Sequence, residues 1–464
     1  MTVSPPRRAA GPRHASRGYT GRPPAAAPRH AHRYTLPQHA PAATGPATAA
    51  SRRAPETATV HARPAPAPHG YLAGALLRCA LYLGPLSVAI AAARALHAVA
   101  WPVPATVLVL GWSAAQGLTS LGVAVVRRDG RPAAARLVGG GFAATAGLWC
   151  ALVWVAPPAL LGPDRFLAGA VGIGALGSLA TVTAALVTGA EAAVVRWSLP
   201  CWLLAALSVV APSLPGHLSA VPTQILLPAA ITVAAIRAYR PVIGRAVPRH
   251  GRLNRRLVRR AAGYLMIGAA QGVSVVLLWH AGPPGGTSPA ALPVLAAVPV
   301  LEALVGRHLQ QVAAGSAGTR PARDVRRRVR RVTAVTVVGL LPPLAGGVAL
   351  ALNADRLAML RLPALLLATL RLPVGATTAD GVLALAAGTL LGGVFAATIL
   401  LAARRRTGLA ATLAAAVPLA IAAMGLLPEP APERLPAIVA VLAATHLIGL
   451  TAVALTAADH RRPS

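Results

Sequence analysis

The sequence predicts an all-α polytopic membrane protein of about twelve transmembrane helices in two six-helix bundles, and three observations carry that reading. Apolar runs of about 20 residues, the length that crosses a ~30 Å hydrocarbon core, follow one another from residue 71 onward. Charged residues make up 12% of the chain against 55% hydrophobic, with a mean hydropathy of +0.61. Arginine-rich connections alternate with arginine-poor ones. A transmembrane β-barrel needs alternating apolar and polar residues; these runs are apolar on every face.

The elements follow in chain order. Residues 1–70, rich in Pro, Ala, Arg and His, contain no apolar run and are expected to be a disordered tail. No apolar h-region follows their early charges, so they do not read as a signal peptide. Spans are predicted near 75–97, 104–126, 137–157, 166–189, 193–212, 218–237, 261–280, 289–306, 332–352, 381–403, 407–427 and 435–457. The domain boundaries that follow are 71–237 for the first bundle, 238–260 for a basic linker, 261–457 for the second bundle and 458–464 for a C-terminal tail. The stretch "RLAMLRLPALLLATLRLPVG" (356–375) is apolar but broken by Arg361, Pro363, Arg371 and Pro373. It is too short between its prolines to span, and 356–373 is read as an interfacial or re-entrant helix on the outer face.

The arginines set the orientation. One set of connections comprises the tail, 127–136, the turn near Arg196, 237–260, 307–331, Arg404 to Arg406, and Arg461 with Arg462; it holds 37 arginines. The alternate set holds five: Arg165, Arg356, Arg361, Arg371 and Arg434. The positive-inside rule places the first set, and with it both termini, in the cytoplasm of a multi-pass plasma-membrane protein. The net charge of +33, carried by arginine without any lysine, fits a GC-rich coding bias. Because the arginines cluster between apolar runs, the expected partner is anionic lipid rather than nucleic acid. Cys79, Cys150 and Cys201 lie in three different runs, without metal-ligand spacing, and read as small helix residues. No motif points to a cofactor or a metal.

The longest basic connection within the membrane region, 238–260, falls after the sixth span, and the halves on either side resemble each other. "GRPAAARLV" (130–138) follows span 2 and "TRPARDVRRRV" (319–329) follows span 8, each with Arg-Pro-Ala leading into an arginine-bearing turn. "APPALLGPDRFLAGAVGIGALGSL" (156–179) and "LPALLLATLRLPVGATTADGVLALAAGTL" (362–390) share Pro-Ala-Leu-Leu, an aspartate-bearing turn and a Gly/Ala/Leu span. Internal repetition of this kind is the usual build of secondary transporters.

"QGLTSLGVAVVRRDGRPAAARLVGGG" (116–141), "LNRRLVRRAAGYLMIGAAQGVSVVLLW" (253–279) and the outer "PALL…LRLPVGA" stretch together resemble the multidrug/oligosaccharidyl-lipid/polysaccharide (MOP) exporter superfamily. The likeness is strongest to its polysaccharide and lipid-linked oligosaccharide flippases and covers about residues 75–457. It implies two six-helix bundles in a V around a central cavity, alternating between inward- and outward-open states. It also implies a transporter, not an enzyme, moving a lipid-linked glycan or polysaccharide across the cytoplasmic membrane, with glycosyltransferases as partners. The chain departs from the superfamily's cation-coupled drug exporters, which carry acids in the first or seventh span. Spans 1 and 7 have none here, and of eleven acids only Glu302 lies well inside a span.

Polar groups inside the hydrocarbon are costly and are therefore the candidate substrate-binding residues. Arg78, shortly before Gly84-Pro85 in span 1, reads as a cavity cation for a lipid diphosphate or as a snorkelling side chain. No acid in span 1 neutralises it. Glu302, five residues before Arg307, reads as a cavity acid or an interfacial one paired with arginine. Gln116, Gln271 and His446 lie near mid-membrane and either meet sugar hydroxyls or link helices by hydrogen bonds; His446 is also placed for proton relay. "GIGALG" (Gly172 to Gly177) matches a dinucleotide fingerprint but follows no strand, so close helix packing is the reading.

Competing readings remain. A major-facilitator-type or multidrug small-molecule exporter also has twelve spans and a basic loop after span 2, although Val126 stands where the facilitator loop motif wants Asp. A membrane glycosyltransferase or ligase would need outward acids, and the outer connections offer Asp164, Asp355, Asp380, Glu429 and Glu433. A non-transporting envelope scaffold is the fourth reading.

Overall fold

A computed structural model describes residues 68–210, 223–243, 253–281, 305–308, 311, 322–359, 378–425 and 434–456. The tail 1–67, most of the span at 289–306 with Glu302, the outer stretch 360–377 with Arg371, and the C-terminal tail lie outside the described residues. The described residues form fifteen α-helices and no strand. The chain is an all-α polytopic membrane protein.

The predicted first span is interrupted by its own sequence. It becomes α1 (Pro68–Tyr82), α2 (Gly84–Ala91) and α3 (Ala93–Ala98). Pro85 has no N–H and its ring crowds the carbonyl four residues earlier, so α2 restarts at Gly84. The helical ladder still crosses the break through Leu83 N–H to Cys79 O at 3.0 Å and Ser87 N–H to Leu83 O at 3.1 Å. The break is therefore a kink, not an end.

Spans 2 and 3 form α4 (Pro102–Val155), two helical arms joined across Gly130, whose φ of 85° no L side chain adopts cheaply. The arms fold back on each other. Leu118 packs on Gly141, and Trp149 shares a core cluster with Val103 and Val107. Pro132 opens the second arm, where a missing N–H costs nothing. Arg-Pro-Ala thus marks a helix start here, and α11 (Ala322–Leu352) begins at the alanine of the second copy.

The outer turn after α4 carries α5 (Pro158–Leu161), then Asp164, which caps α6 (Arg165–Thr188) by accepting from Leu167 N–H at 3.0 Å. Gly189, at φ 68°, ends α6. The fifth span is bent by 40° into α7 (Glu191–Trp197) and α8 (Leu199–Val210), next to Pro200. α9 (Thr223–Tyr239) follows. Beyond it come α10 (Arg255–Ala281), α11, α12 (Ala354–Met359), α13 (Thr378–Ala403), α14 (Thr407–Gly425) and α15 (Arg434–Thr456). Of the predicted interfacial helix 356–373, only the start is described, inside α12.

Among the described residues, eight helices are long and apolar enough to cross a membrane, or nine with the bent α7–α8 pair; α4 counts once there although it has two arms. Trp154, Val155, Phe166, Leu203, Ile225 and Leu419 are exposed. A soluble protein does not leave so much apolar surface bare; in a bilayer this is the lipid-facing side. Hydroxyls within the helices bond back to their own backbone, as Thr181 does to Gly177 O at 2.7 Å and Thr188 to Ala184 O at 2.7 Å. That keeps them satisfied where water is absent.

The apolar core falls into separate clusters. One gathers Val125, Val138, Phe142, Val187 and Val194, and another Val88, Cys201, Leu204 and Leu227, all from helices before residue 240. Two more gather residues of α10, α11 and α13–α15, joined by Leu108 and Trp112 of α4. Glycines let the helices approach. Gly172 lies under the Trp149 indole and Gly122 against Val187, so "GIGALG" serves helix packing.

Candidate functional site

The helices before residue 240 meet those after 255 chiefly along α4 and α10. This seam is built on glycines. A methyl group at Gly268 would stand 2.9 Å from Trp112 O and 3.0 Å from both Cβ and Cγ of Gln116. At Gly272 it would stand 3.1 Å from Val109 Cα, and at Gly117 3.3 Å from Leu265 Cβ. Gly268 and Gly272 are four residues apart and so share one face of α10, the small-xxx-small spacing that lets membrane helices touch backbone to backbone. At one end of the seam Trp101 stacks on His280, with ring centroids 4.9 Å apart.

In the middle of the seam sits Gln271, 1% exposed. Its Oε1 accepts from Trp112 Nε1–H at 3.1 Å, and its Nε2 donates to Thr398 Oγ1 at 3.0 Å. Thr398 donates in turn to Phe395 O at 2.8 Å. One amide therefore ties α4, α10 and α13 together. Of the two sequence readings for Gln271, this is helix linking. Gln116 belongs to the same seam but only packs, its aliphatic stem lying on Gly268.

His446 on α15 is also fully buried, 0% exposed, but among the described residues neither ring nitrogen has a hydrogen-bond partner. Its imidazole lies directly on Gly393 of α13. The expected hydrogen-bonded link between helices is thus absent at His446, because the surface it meets is a glycine with no side chain to offer. Gly393 and Thr398 are five residues apart on α13, about 7.5 Å along its axis, so Gln271 and His446 both meet α13, while Gln116 of α4 meets α10.

Arg78 is placed on a different helix pair. Its Nε is 4.0 Å from Glu191 Oε1 at the start of α7, with the two side chains 36% and 21% exposed. The expectation of an unneutralised arginine is corrected: span 1 has no acid, but the fold brings one from 113 residues downstream. At the hairpin of α4, Arg128 donates to Asp129 at 2.8 Å, which raises its pKa from the ordinary value.

Arginines of several connections sit against neighbouring helices. Arg131 lies beside Gly189, next to the Arg78–Glu191 pair, and Arg237 sits 4.3 Å over the Trp197 ring. Arg404, assigned from sequence to a plain basic loop, is half-buried instead. Its guanidinium donates to Val453 O at 2.6 Å, to Thr456 Oγ1 at 3.3 Å and to Thr333 Oγ1 at 2.5 Å, closing the carbonyl end of α15 against α11. His308 Nδ1 lies 2.8 Å from Thr336 Oγ1 one turn further along α11. Beside it, Arg307, Gln311, Arg327, Arg328, Arg331, Val332 and Val335 line an open groove of about 610 Å³. Nothing in the sequence marked Trp112, Thr398 or Arg404 as partners, because each acts across a gap of 49 residues or more.

Among the described residues no cluster of His, Cys, Asp or Glu is fit to hold a metal ion. Every described acid lies at an end: Asp129 at the α4 hairpin, Asp164 capping α6, Glu191, Asp324, Asp355 and Asp380 in first helical turns.

A glycine-packed helical seam joins the membrane helices before residue 240 to those after 255 in one polytopic bundle. Comparison with solved structures gives the fold. The chain superposes on the eukaryotic MATE transporter AtDTX14 with a TM-score of 0.50 and 11% identity, over 84% of this chain and 97% of that one. An inward-facing multidrug resistance MATE family transporter of the MOP superfamily matches with a TM-score of 0.49 and 10% identity, over 83% and 94%. The likeness to AtDTX14 is one of fold. No family model matches the sequence, and no curated protein matches it either.

Proposed function

We propose that the chain is a membrane transporter working by alternating access, with both termini in the cytoplasm, and that its substrate is an anionic amphiphile such as a lipid-linked glycan. The observation that carries the substrate class is the placement of charge. No described acid lies within the body of a membrane helix, whereas arginines crowd the helix ends and connections. A cationic substrate would find no counter-charge within the body of the described membrane helices; an anionic headgroup would find many cations at their ends, and arginine's planar fork suits phosphate. In this reading the α4–α10 seam is the contact that opens and closes. Arg78, held by Glu191, exchanges that acid for the substrate's phosphate.

A second reading, small-molecule export, is favoured by the likeness in fold to the MATE transporter AtDTX14. The test uses the full chain in liposomes, with a fluorescent polyprenyl diphosphate scored by dithionite quenching and ethidium uptake measured in parallel. Translocation of the labelled lipid is expected, and Arg78→Ala should abolish it while leaving the amount of inserted protein unchanged. Ethidium transport without movement of the lipid would overturn the substrate class in favour of small-molecule export.

A further inference from the structure

We propose that the groove between α11 and the pair Arg307 and Gln311 is a fixed binding site for a phospholipid headgroup bearing two phosphates, separate from the transport path. Four arginines line it, Arg307 from one wall and Arg327, Arg328 and Arg331 from the other. None of the four is held in an ion pair among the described residues. Their positive charge converges on a concavity, unlike a row of arginines on a convex helix surface. At about 610 Å³ the groove holds far more than one ordered water, whose share of liquid volume is ~30 Å³.

The helix itself raises the need for an anion. The first ten residues of α11, Ala322 to Arg331, include Arg323, Arg327, Arg328, Arg330 and Arg331. Asp324 in the first turn already answers the helix dipole, which fades beyond that turn. Arg327, Arg328 and Arg331 lie past it and repel one another, and a phosphate among them offsets that repulsion. Each phosphate can take paired guanidinium donors, so four arginines suit two phosphates.

The apolar lining distinguishes a lipid from a free polyanion. Arg327, Arg328, Arg331, Val332 and Val335 follow one another at the spacing of a single helical face. Val335 is exposed, and it continues the stripe from the charged end of α11 into its membrane-crossing part. A headgroup on the arginines would lay its acyl chains along the valines. A soluble pyrophosphate would leave them unused.

The test is equilibrium binding to the full chain in neutral detergent, with tetraoleoyl cardiolipin, dioleoyl phosphatidylglycerol and inorganic pyrophosphate as probes. No transport step enters, so the result is independent of the substrate reading. Cardiolipin should bind more tightly than phosphatidylglycerol. The triple variant Arg327→Gln/Arg328→Gln/Arg331→Gln should weaken it about a hundredfold, the loss expected from three arginines near anionic lipid. The triple variant Arg255→Gln/Arg256→Gln/Arg259→Gln removes as much exposed charge from the start of α10, away from the groove, and should leave binding unchanged. Val335→Asp should weaken cardiolipin but not pyrophosphate. Equal loss in both triple variants would show diffuse charge attraction and overturn the site. So would phosphatidylglycerol binding as tightly as cardiolipin. Pyrophosphate binding as tightly as cardiolipin, with Val335→Asp without effect, would overturn the lipid assignment. Unchanged melting of both triple variants without lipid checks that each is folded.

Discussion

The α4–α10 seam and the α13–α15 contact each bury one polar side chain beside glycine, and they treat it in opposite ways. At the seam, Gln271 finds both a donor and an acceptor, so burial turns an amide into a three-helix tie. At the other contact, His446 lies on Gly393 with both ring nitrogens orphaned. Buried polar groups in native proteins are nearly always paired. The difference therefore separates a residue that holds this arrangement together from one that costs stability in it. A side chain of the second kind is where a moving protein keeps its reserve, because another state can offer the missing partner.

The seam should be the more easily broken region, and its glycines the most sensitive positions. In Gly268→Val, the new side chain meets Trp112 O, a backbone atom that cannot rotate away. Forced overpacking in a well-packed interior costs about 1–3 kcal/mol, and the value here should lie at the top of that range. Thermal unfolding in detergent would show it as the largest fall in melting temperature of the variants considered. Trimming Gln116 to Ala in the same chain should not restore the loss, because the backbone collision remains. Full restoration would mean that the side chain, not the backbone, sets the spacing.

Gln271→Leu comes next. It keeps the volume of the side chain but strips Trp112 Nε1–H of its acceptor inside the bundle. An orphaned buried donor costs about 1–3 kcal/mol, although measured side-chain hydrogen bonds between membrane helices average nearer ~0.6 kcal/mol. A loss of about 1 kcal/mol in unfolding free energy is therefore expected. Trp112→Phe in the Gln271→Leu background removes the orphan and should recover part of it. Additive losses in the double variant would show that the two side chains do not act together.

These two regions also mark how far the sequence could be read. Hydropathy located the helices because lipid imposes a length and a composition on every span. Gly130-Arg131-Pro132 marked a hairpin, and Gly84-Pro85 a kink, because those residues constrain the backbone wherever they occur. Gln271 was legible as a costly residue but not as a tie, since Trp112 and Thr398 are 159 and 127 residues away. Glu191 was likewise invisible as the partner of Arg78, and Arg404 read as one more loop arginine. Pairwise chemistry between distant helices depends on which faces meet, and in a bundle apolar on every side periodicity does not say which. The arginine census marked 307–331 as a basic connection, but not that Arg327, Arg328 and Arg331 share a groove with Arg307.

The smallest effect on stability, and the most informative, should come from His446. Phe in its place keeps a flat ring against Gly393 and removes both unpartnered nitrogens. Burying a polar group without partners is costly, and replacing it with an apolar group of similar shape is close to neutral or stabilising. His446→Phe should therefore change the unfolding free energy by less than about 1 kcal/mol, the extra ring volume offsetting part of the gain. Gly393→Ala gives the matching measurement, because its methyl group displaces the imidazole. That variant should be destabilised in the His446 background and relieved when His446 is also replaced by Ala. If His446→Phe melts as far below the parent chain as Gln271→Leu does, the imidazole is paired in the membrane and the contrast between the two regions is lost. If its stability is preserved while movement of the labelled lipid in liposomes fails, the ring serves the proposed transport and not the stability of this arrangement.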